Sequence, residues 1–188
     1  MDIGAGDGRF VYRSARRETE KFFIGIDPNV RPLAKISEKI YRRRDKGGAP
    51  NVIFLQAAIE ELPDELDGIA GEVHIQFPWG SLLKAVAAGD QLSLESLRRL
   101  CRIGTRLEVL IGLDAKRDRS QLQRLGLPEL STKYLEHQLV PAYAASGFEI
   151  DDYGMLSSSE WPEIESSWAA KLRSSITRVL IYLQGRAA

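Results

Sequence analysis

The chain opens MDIGAGDGRF. Asp2, Gly4, Gly6 and Gly8 form a D-x-G-x-G-x-G run that leads straight into a helical pattern at Phe10, Val11 and Ala15. Glycines let the backbone turn tightly and approach a ligand, with a helix N-terminus just behind. A purely structural turn uses the same residues, so the loop needs a second feature beside it. That feature is Asp27, which ends the run FFIGID 19 residues after Gly8. An acid at the end of a second strand can accept hydrogen bonds from both hydroxyls of a ribose. A strand-end or N-cap aspartate ahead of Pro28 is the plain structural alternative. Loop and acid together point to an adenosine cofactor. The spacing is GxGxG rather than GxGxxG, which favours S-adenosylmethionine, a ligand without a pyrophosphate, over NAD.

Two further stretches bear on chemistry. VIFLQAAIEELP runs into Ala57, Ala58, Ile59 and Glu60. Small residues there leave room for an adenine ring, while Glu60 equally suits the first turn of a helix. HIQFPWGSLL holds Trp79 between Pro78 and Gly80 at the end of an apolar run. In doubly wound sheets, ligands sit outside the carboxyl ends of the strands, so Pro78 and Trp79 should face the reactive end of the cofactor. An indole there can stack on a flat substrate such as a flipped nucleobase. The alternative is an indole folded back into the core. Two more tryptophans lie in SSSEWPEIESSWAAKLR. Core packing is expected for Trp161, and Trp168 falls on a helical stretch.

Strand-like runs are expected at 22–27, 52–56, 73–77, 107–113, 148–150 (extending towards 153) and 176–183. Helical stretches are expected at about 8–19, 30–44, 60–66, 81–87, 93–102, 116–125, 132–146 and 159–172. Alternation of this kind predicts a parallel sheet covered on both faces, and near-continuous apolar strands fit burial on both sides. The final strand has no crossover helix after it and can pair antiparallel. The expectation is an α/β Rossmann-like sheet closed by a terminal hairpin, in one domain over residues 1–188.

The 188 residues suffice for one sizeable core. Apolar content of 44% and charged content of 28% are those of an ordinary globular chain. No apolar run approaches a membrane span and no signal peptide is visible, so a cytoplasmic protein without membrane partners is expected. Cys101 is alone, and His74 and His137 lie far apart, which argues against a zinc site. Net charge is zero, yet 18 arginines outnumber 8 lysines and form clusters at 13–17, 42–46, 98–106 and 116–124. Arginine suits phosphate through its planar fork. Solvated helix faces account for any single cluster.

The segments DIGAGDGR, FIGIDP, NVIFLQAAIEELP, IQFPWGSLL, RLGLPELSTKYL, SGFEIDD and SSWAAKL run in order across most of the chain. In them the sequence resembles the 16S ribosomal RNA adenine-N1 methyltransferases of the decoding site, the Kam/Npm group of aminoglycoside-resistance enzymes. FPWG with a late SxW is the specific part. The resemblance implies a class I methyltransferase fold of seven strands, with the last strand antiparallel. It also implies S-adenosylmethionine as cofactor and adenine 1408 of 16S rRNA in the 30S subunit as target. Carried over residue by residue, Gly4, Ala5, Gly6 and Gly8 would line the cofactor and Asp27 with Pro28 its ribose. Ala58, Ile59 and Glu60 would border the adenine, and Gln76, Phe77, Pro78 and Ser81 the methionine end. Trp79 and Trp168 would sandwich the target base, with Ser166 positioning Trp168 or the base beside the cofactor. By the same resemblance, Lys116, Arg117, Arg119 and Arg124 would fall in the segment, about 114–146, that contributes to ribosome recognition in the family.

Two departures from the family pattern stand out. Family members carry an N-terminal β-hairpin before the first strand, where this chain has only Met1 to Ile3. The start therefore reads as shortened. The basic connection ahead of the last strand also looks shorter, and Arg173 is the choice for the arginine that holds the flipped nucleotide's phosphate. A monomer is expected. The rival readings are another RNA methyltransferase such as the transfer-RNA guanine-N7 class, a cofactor-binding relative that docks on RNA without methylating it, and an NAD-dependent oxidoreductase.

Overall fold

The structure is a computed structural model that describes residues 1–161, 172 and 177–188. Its frame is a seven-stranded sheet. β1 (Asp2–Ile3), β2 (Phe23–Ile26), β3 (Val52–Leu55), β4 (Ala70–Gln76), β5 (Cys101–Leu113), β6 (Phe148–Leu156) and β7 (Val179–Ala187) lie in the order β3-β2-β1-β4-β5-β7-β6. The first five strands pair in parallel. β7 runs antiparallel to both β5 and β6, from Leu113↔Val179 to Arg106↔Arg186 on one side. This is the expected sheet, with β7 as the antiparallel strand.

The helices divide between the two faces. α1 (Arg9–Arg17) and α2 (Val30–Ile40) cover β1–β3 through Val11, Ala15, Leu33, Ile36 and Ile40. On the opposite face lie α3 (Gly80–Ala88), α4 (Gln91–Arg99) and α5 (Arg119–Leu125). With them is the run of α6 (Thr132–Tyr134), a π-turn at Leu135–Leu139 and α7 (Val140–Ala145). Leu83, Val86, Leu94, Leu97, Leu135, Leu139 and Tyr143 there meet Val73, Ile75, Val109, Ile111 and Leu183 in the main core. Burial of each such aliphatic side chain is worth about 1.5–3 kcal/mol. The widened turn lies just ahead of Pro141, which has no N–H to give to the preceding turn. Side chains mark the helix starts: Asn29 accepts from the Arg31 amide at 3.2 Å, and Asp90 accepts from the Ser93 amide at 3.0 Å and its hydroxyl at 2.7 Å.

Three expectations are corrected. Residues 60–66 form two short 3-10 turns, Ile59–Glu61 and Asp64–Leu66, because Pro63 interrupts any longer helix. β5 begins at Cys101, so Arg102 is strand rather than helix. There the Thr105 hydroxyl donates to Ala70 O at 2.6 Å beside an irregularity in the β4–β5 register. Finally, β4 is not buried on both sides. Val73 and Ile75 point into the core, while Glu72, His74 and Gln76 alternate onto a half-buried face. That face continues through Glu108 and Gln184, each opposite its neighbour in register with His74 and Asp2. It borders a groove of about 1060 Å³.

Candidate active site

The carboxyl ends of β1, β2 and β4 bring the glycine loop, Asp27 and the Phe77–Trp79 turn to one edge of the sheet. Gly4 and Ala5 both donate their amides to Ile26 O, at 2.8 and 3.0 Å, which bends the chain over the end of β2. Gly4, Gly6 and Gly8 have φ of 80°, 55° and 69°. At Gly4 a Cβ would lie 2.5 Å from a methyl of Leu82, and at Gly8 one would lie 2.8 Å from Ile36 and Phe54. Conformation therefore calls for glycine at all three positions, and at Gly8 the packed Ile36 and Phe54 side chains add a limit on space. Gly8 itself precedes the first turn of α1 in the left-handed region.

Asp27 sits directly beyond β2. Its Oδ2 accepts from the Gly6 amide at 2.8 Å and its Oδ1 from the Asn29 amide at 2.8 Å. The acid thus braces the glycine loop, and the remaining lone pairs of both oxygens stay available for donors such as ribose hydroxyls. Pro28 is exposed beside it, its carbonyl accepting from Gln56 Nε2 at 3.2 Å. Ala58 is half-buried and Glu60 exposed after β3. Ile59, 3% exposed, packs its side chain in the main core at the start of the turn that follows β3.

Beyond β4, Gln76 is half-buried, Pro78 buried, and Ser81 exposed in the first turn of α3. Trp79 is 52% exposed, with extended backbone angles, and caps α3 without a side-chain hydrogen bond. Of the two readings of this indole, the structure shows the exposed one. Trp161 is buried, as expected, and stacks on Phe77 with ring centroids 5.8 Å apart. Trp168, Ser166 and Arg173 lie outside the described residues.

Sequence reasoning did not single out Asp2 by itself, although the D of the glycine motif carried the signal. Asp2 is buried, and burial pushes its carboxyl up to about 7 against the opposing pull of His74 and the N-terminal amine. Its Oδ1 and the Oε1 of Gln76 are buried acceptors with no hydrogen-bond partner. Both residues line the groove on the polar face, along with Phe10, His74, Glu108 and Gln184. Among the described residues nominated from sequence, only Gln76 lines that groove. The glycine loop, Asp27, Pro28, Ala58, Glu60 and the turn from Phe77 to Ser81 follow the carboxyl ends of β1 to β4, where ligands of such sheets bind. His74 Nδ1 lies 3.1 Å from Glu108, whose carboxyl this contact holds below its ordinary value.

Lys116, Arg117, Arg119 and Arg124 are exposed at and after the end of β5. Asp114 positions this loop: its carboxylate accepts from the amides of Lys116 and Arg117, both at 3.0 Å, and from the Thr177 hydroxyl, which holds its carboxyl at about 2. Arg178, also not singled out from sequence, is buried. It donates to Asp118 at 2.8 Å and Gly112 O at 2.9 Å, so it ties the start of β7 to the start of α5. No spacing rule links residues 118 and 178, and only the antiparallel pairing of β5 with β7 brings them together. Among the described residues no His, Cys, Asp or Glu group is arranged to hold a metal ion.

The family model described as NpmA, 16S rRNA (adenine(1408)-N(1))-methyltransferase, matches residues 1–187. The chain is 36% identical over 186 residues to the 16S rRNA (adenine(1408)-N(1))-methyltransferase of Escherichia coli, covering 98% of this chain and 85% of that protein. To the protein of the same name from Streptoalloteichus tenebrarius it is 34% identical over 179 residues, covering 95% and 81%. Among solved structures, the aminoglycoside resistance methyltransferase NpmB1 superposes with a TM-score of 0.85 at 41% identity, covering 100% of this chain and 85% of that one. A tryptophan-to-alanine mutant of the Catenulisporales acidiphilia 16S rRNA (adenine(1408)-N(1))-methyltransferase, solved with cosubstrate SAM, gives 0.87 at 33% identity, covering 100% and 84%.

Proposed function

From the premise that this chain belongs to the 16S rRNA (adenine(1408)-N(1))-methyltransferase family, we infer that it transfers a methyl group from S-adenosylmethionine to N1 of adenine 1408 of 16S rRNA, the modification that confers aminoglycoside resistance. Family membership removes the guanine-N7 and NAD readings. The single structural observation that carries the site is the convergence of the glycine loop, Asp27 and an exposed Trp79 at one edge of the sheet.

When bound, S-adenosylmethionine would supply an electrophilic sulfonium methyl: as the in-plane lone pair of adenine N1, which carries no proton, takes the methyl, the S–CH3 bond would break, leaving neutral S-adenosylhomocysteine and a cationic 1-methyladenine. The protein therefore needs no general base; its task is alignment, which alone can supply most of a rate enhancement. Gly4, Ala5, Gly6 and Gly8 offer backbone at close range, Asp27 accepts from the ribose, and Ala58, Ile59 and Glu60 border the adenine. Gln76 and Asp2 supply two unpartnered acceptors suited to the ammonium of the methionine end. Phe77, Pro78 and Ser81 form the wall from which Trp79 projects.

Trp79 stacks on the flipped base, with Trp168 as the opposite face of the clamp and Ser166 beside it. Stacking contributes about 1–3 kcal/mol per aromatic contact, comparable to the few kcal/mol needed to flip a base. Cation–π attraction of about 0.5–2 kcal/mol also favours the cationic 1-methyladenine over neutral adenine. The exposed Lys116, Arg117, Arg119 and Arg124, together with Arg173, contact RNA phosphates in the assembled 30S subunit. The protein works there as a monomer, in the cytoplasm and off the membrane; among the described residues no helix is long and apolar enough to cross one. The test is transfer of tritiated methyl from S-adenosylmethionine to purified 30S subunits, to subunits carrying guanine at 1408, and to bulk transfer RNA. Label in the first alone supports the reading; label in the second or third contradicts it.

A further inference from the structure

We propose that Trp161 and Phe77 form a lock that fixes the direction of Trp79. The consequence for catalysis rests on the base-stacking role of Trp79; the lock itself does not. Among the described residues Phe77 is the only one other than glycine with a positive φ, 53°. A bulky L residue is sterically strained there, so something must hold it. Three contacts do. Its amide donates to Leu110 O at 2.7 Å. Its ring lies nearly parallel to the Trp161 indole, with an interplanar angle of 20° and 5.8 Å between centroids. Its edge sits against Gly112, where a Cβ would come within 3.0 Å of the ring. Trp161 is in turn 3% exposed among Leu110 and Leu180, with Leu172 packed alongside.

Glycine would occupy the left-handed region freely, so an aromatic residue at this turn signals that the ring is used. The path from the ring to the site is short. Phe77 is followed by the buried Pro78 with its restricted φ, and then by Trp79 in extended conformation, half-exposed and without a cap hydrogen bond of its own. Among the described residues no hydrogen bond or ring contact holds the indole, so the left-handed turn two residues earlier directs it. Trp161 is a positioning residue acting through Phe77, and not merely core filling.

The lock can be read without RNA. The chain has three tryptophans, so W161F/W168F and W161A/W168F each leave Trp79 as the only indole. The lock predicts lower steady-state fluorescence anisotropy for Trp79 in the alanine form, with the phenylalanine form keeping the ring stack. Equal anisotropy in two cooperatively melting proteins overturns it. In the otherwise native chain, W161A should lower kcat for 30S methylation about 10- to 100-fold, as a misplacement of an ångström can. KM for 30S subunits and cofactor affinity should change little, and W161F should restore the rate. An equal loss in W161F and W161A, or full activity in W161A, counts against the proposal.

If W161A fails to fold, Phe77→Gly in the W161F/W168F background serves instead. It accepts the same φ without the ring, so it should loosen Trp79; unchanged anisotropy overturns the lock. Failure of the clamp reading shows separately, as full activity in W79A, and leaves the anisotropy comparison intact.

Discussion

Replacing Trp79 by alanine separates positioning from folding. The indole is 52% exposed. About half of the ~250 Å² of a tryptophan is therefore buried, and ~25 cal/mol per Å² puts the stability loss at no more than about 3 kcal/mol. Catalysis should lose one stacking contact, about 1–3 kcal/mol, and about 0.5–2 kcal/mol of attraction to the methylated, cationic base. The combined loss, about 1.5–5 kcal/mol, corresponds to roughly tenfold to a few thousandfold in kcat/KM. The assay is tritium transfer to 30S subunits below the melting temperature of both proteins, with cofactor affinity measured by calorimetry on the same preparations. Cofactor affinity should hold, because the glycine loop and Asp27 are braced from β2 and not by Trp79. Trp79→Phe should retain most of the rate, since it keeps a stacking face. Undiminished methylation by Trp79→Ala with intact cofactor binding would refute the reasoning.

Two further substitutions probe the cofactor end. Asp27→Ala removes the acceptor proposed for the ribose and the brace on Gly6. At about 1.5–3 kcal/mol for each charge-assisted bond, cofactor affinity should fall at least about tenfold by calorimetry; an unchanged affinity removes Asp27 from the ribose. Asp2 has its carboxyl raised from 3.8 to about 7 in the folded protein by burial. The folded state thus holds this proton more tightly than the unfolded chain. The associated stability is complete below about pH 3.8 and is lost as pH rises through about 7. In the absence of cofactor, Asp2→Asn should therefore gain in melting temperature relative to the native chain between pH 5 and pH 8. A constant difference across that range would contradict the burial argument.

The fold was largely legible because its signals are local. Alternating apolar runs and amphipathic stretches gave the strands, and Ser146-Gly147 marked the helix stop before β6. The glycine loop and Asp27 were legible for the same reason: conformation and spacing are written in residue types, and the structure joins them through one hydrogen bond. What escaped depends on pairing. Glu72, His74 and Gln76 alternate plainly within β4, yet only the neighbours Asp2, Glu108 and Gln184 turn that alternation into a polar sheet face. Arg178 meets Asp118 across 60 residues of chain, and the left-handed turn at Phe77 has no glycine to announce it.

The most direct measurement of the central claim is where the methyl group goes. Reverse transcription through 16S rRNA from 30S subunits treated with this protein and S-adenosylmethionine reads the position, because a methyl at N1 blocks Watson–Crick pairing. The account predicts a cofactor-dependent stop at adenine 1408 and at no other position. Read-through at 1408, or a stop elsewhere, would contradict it.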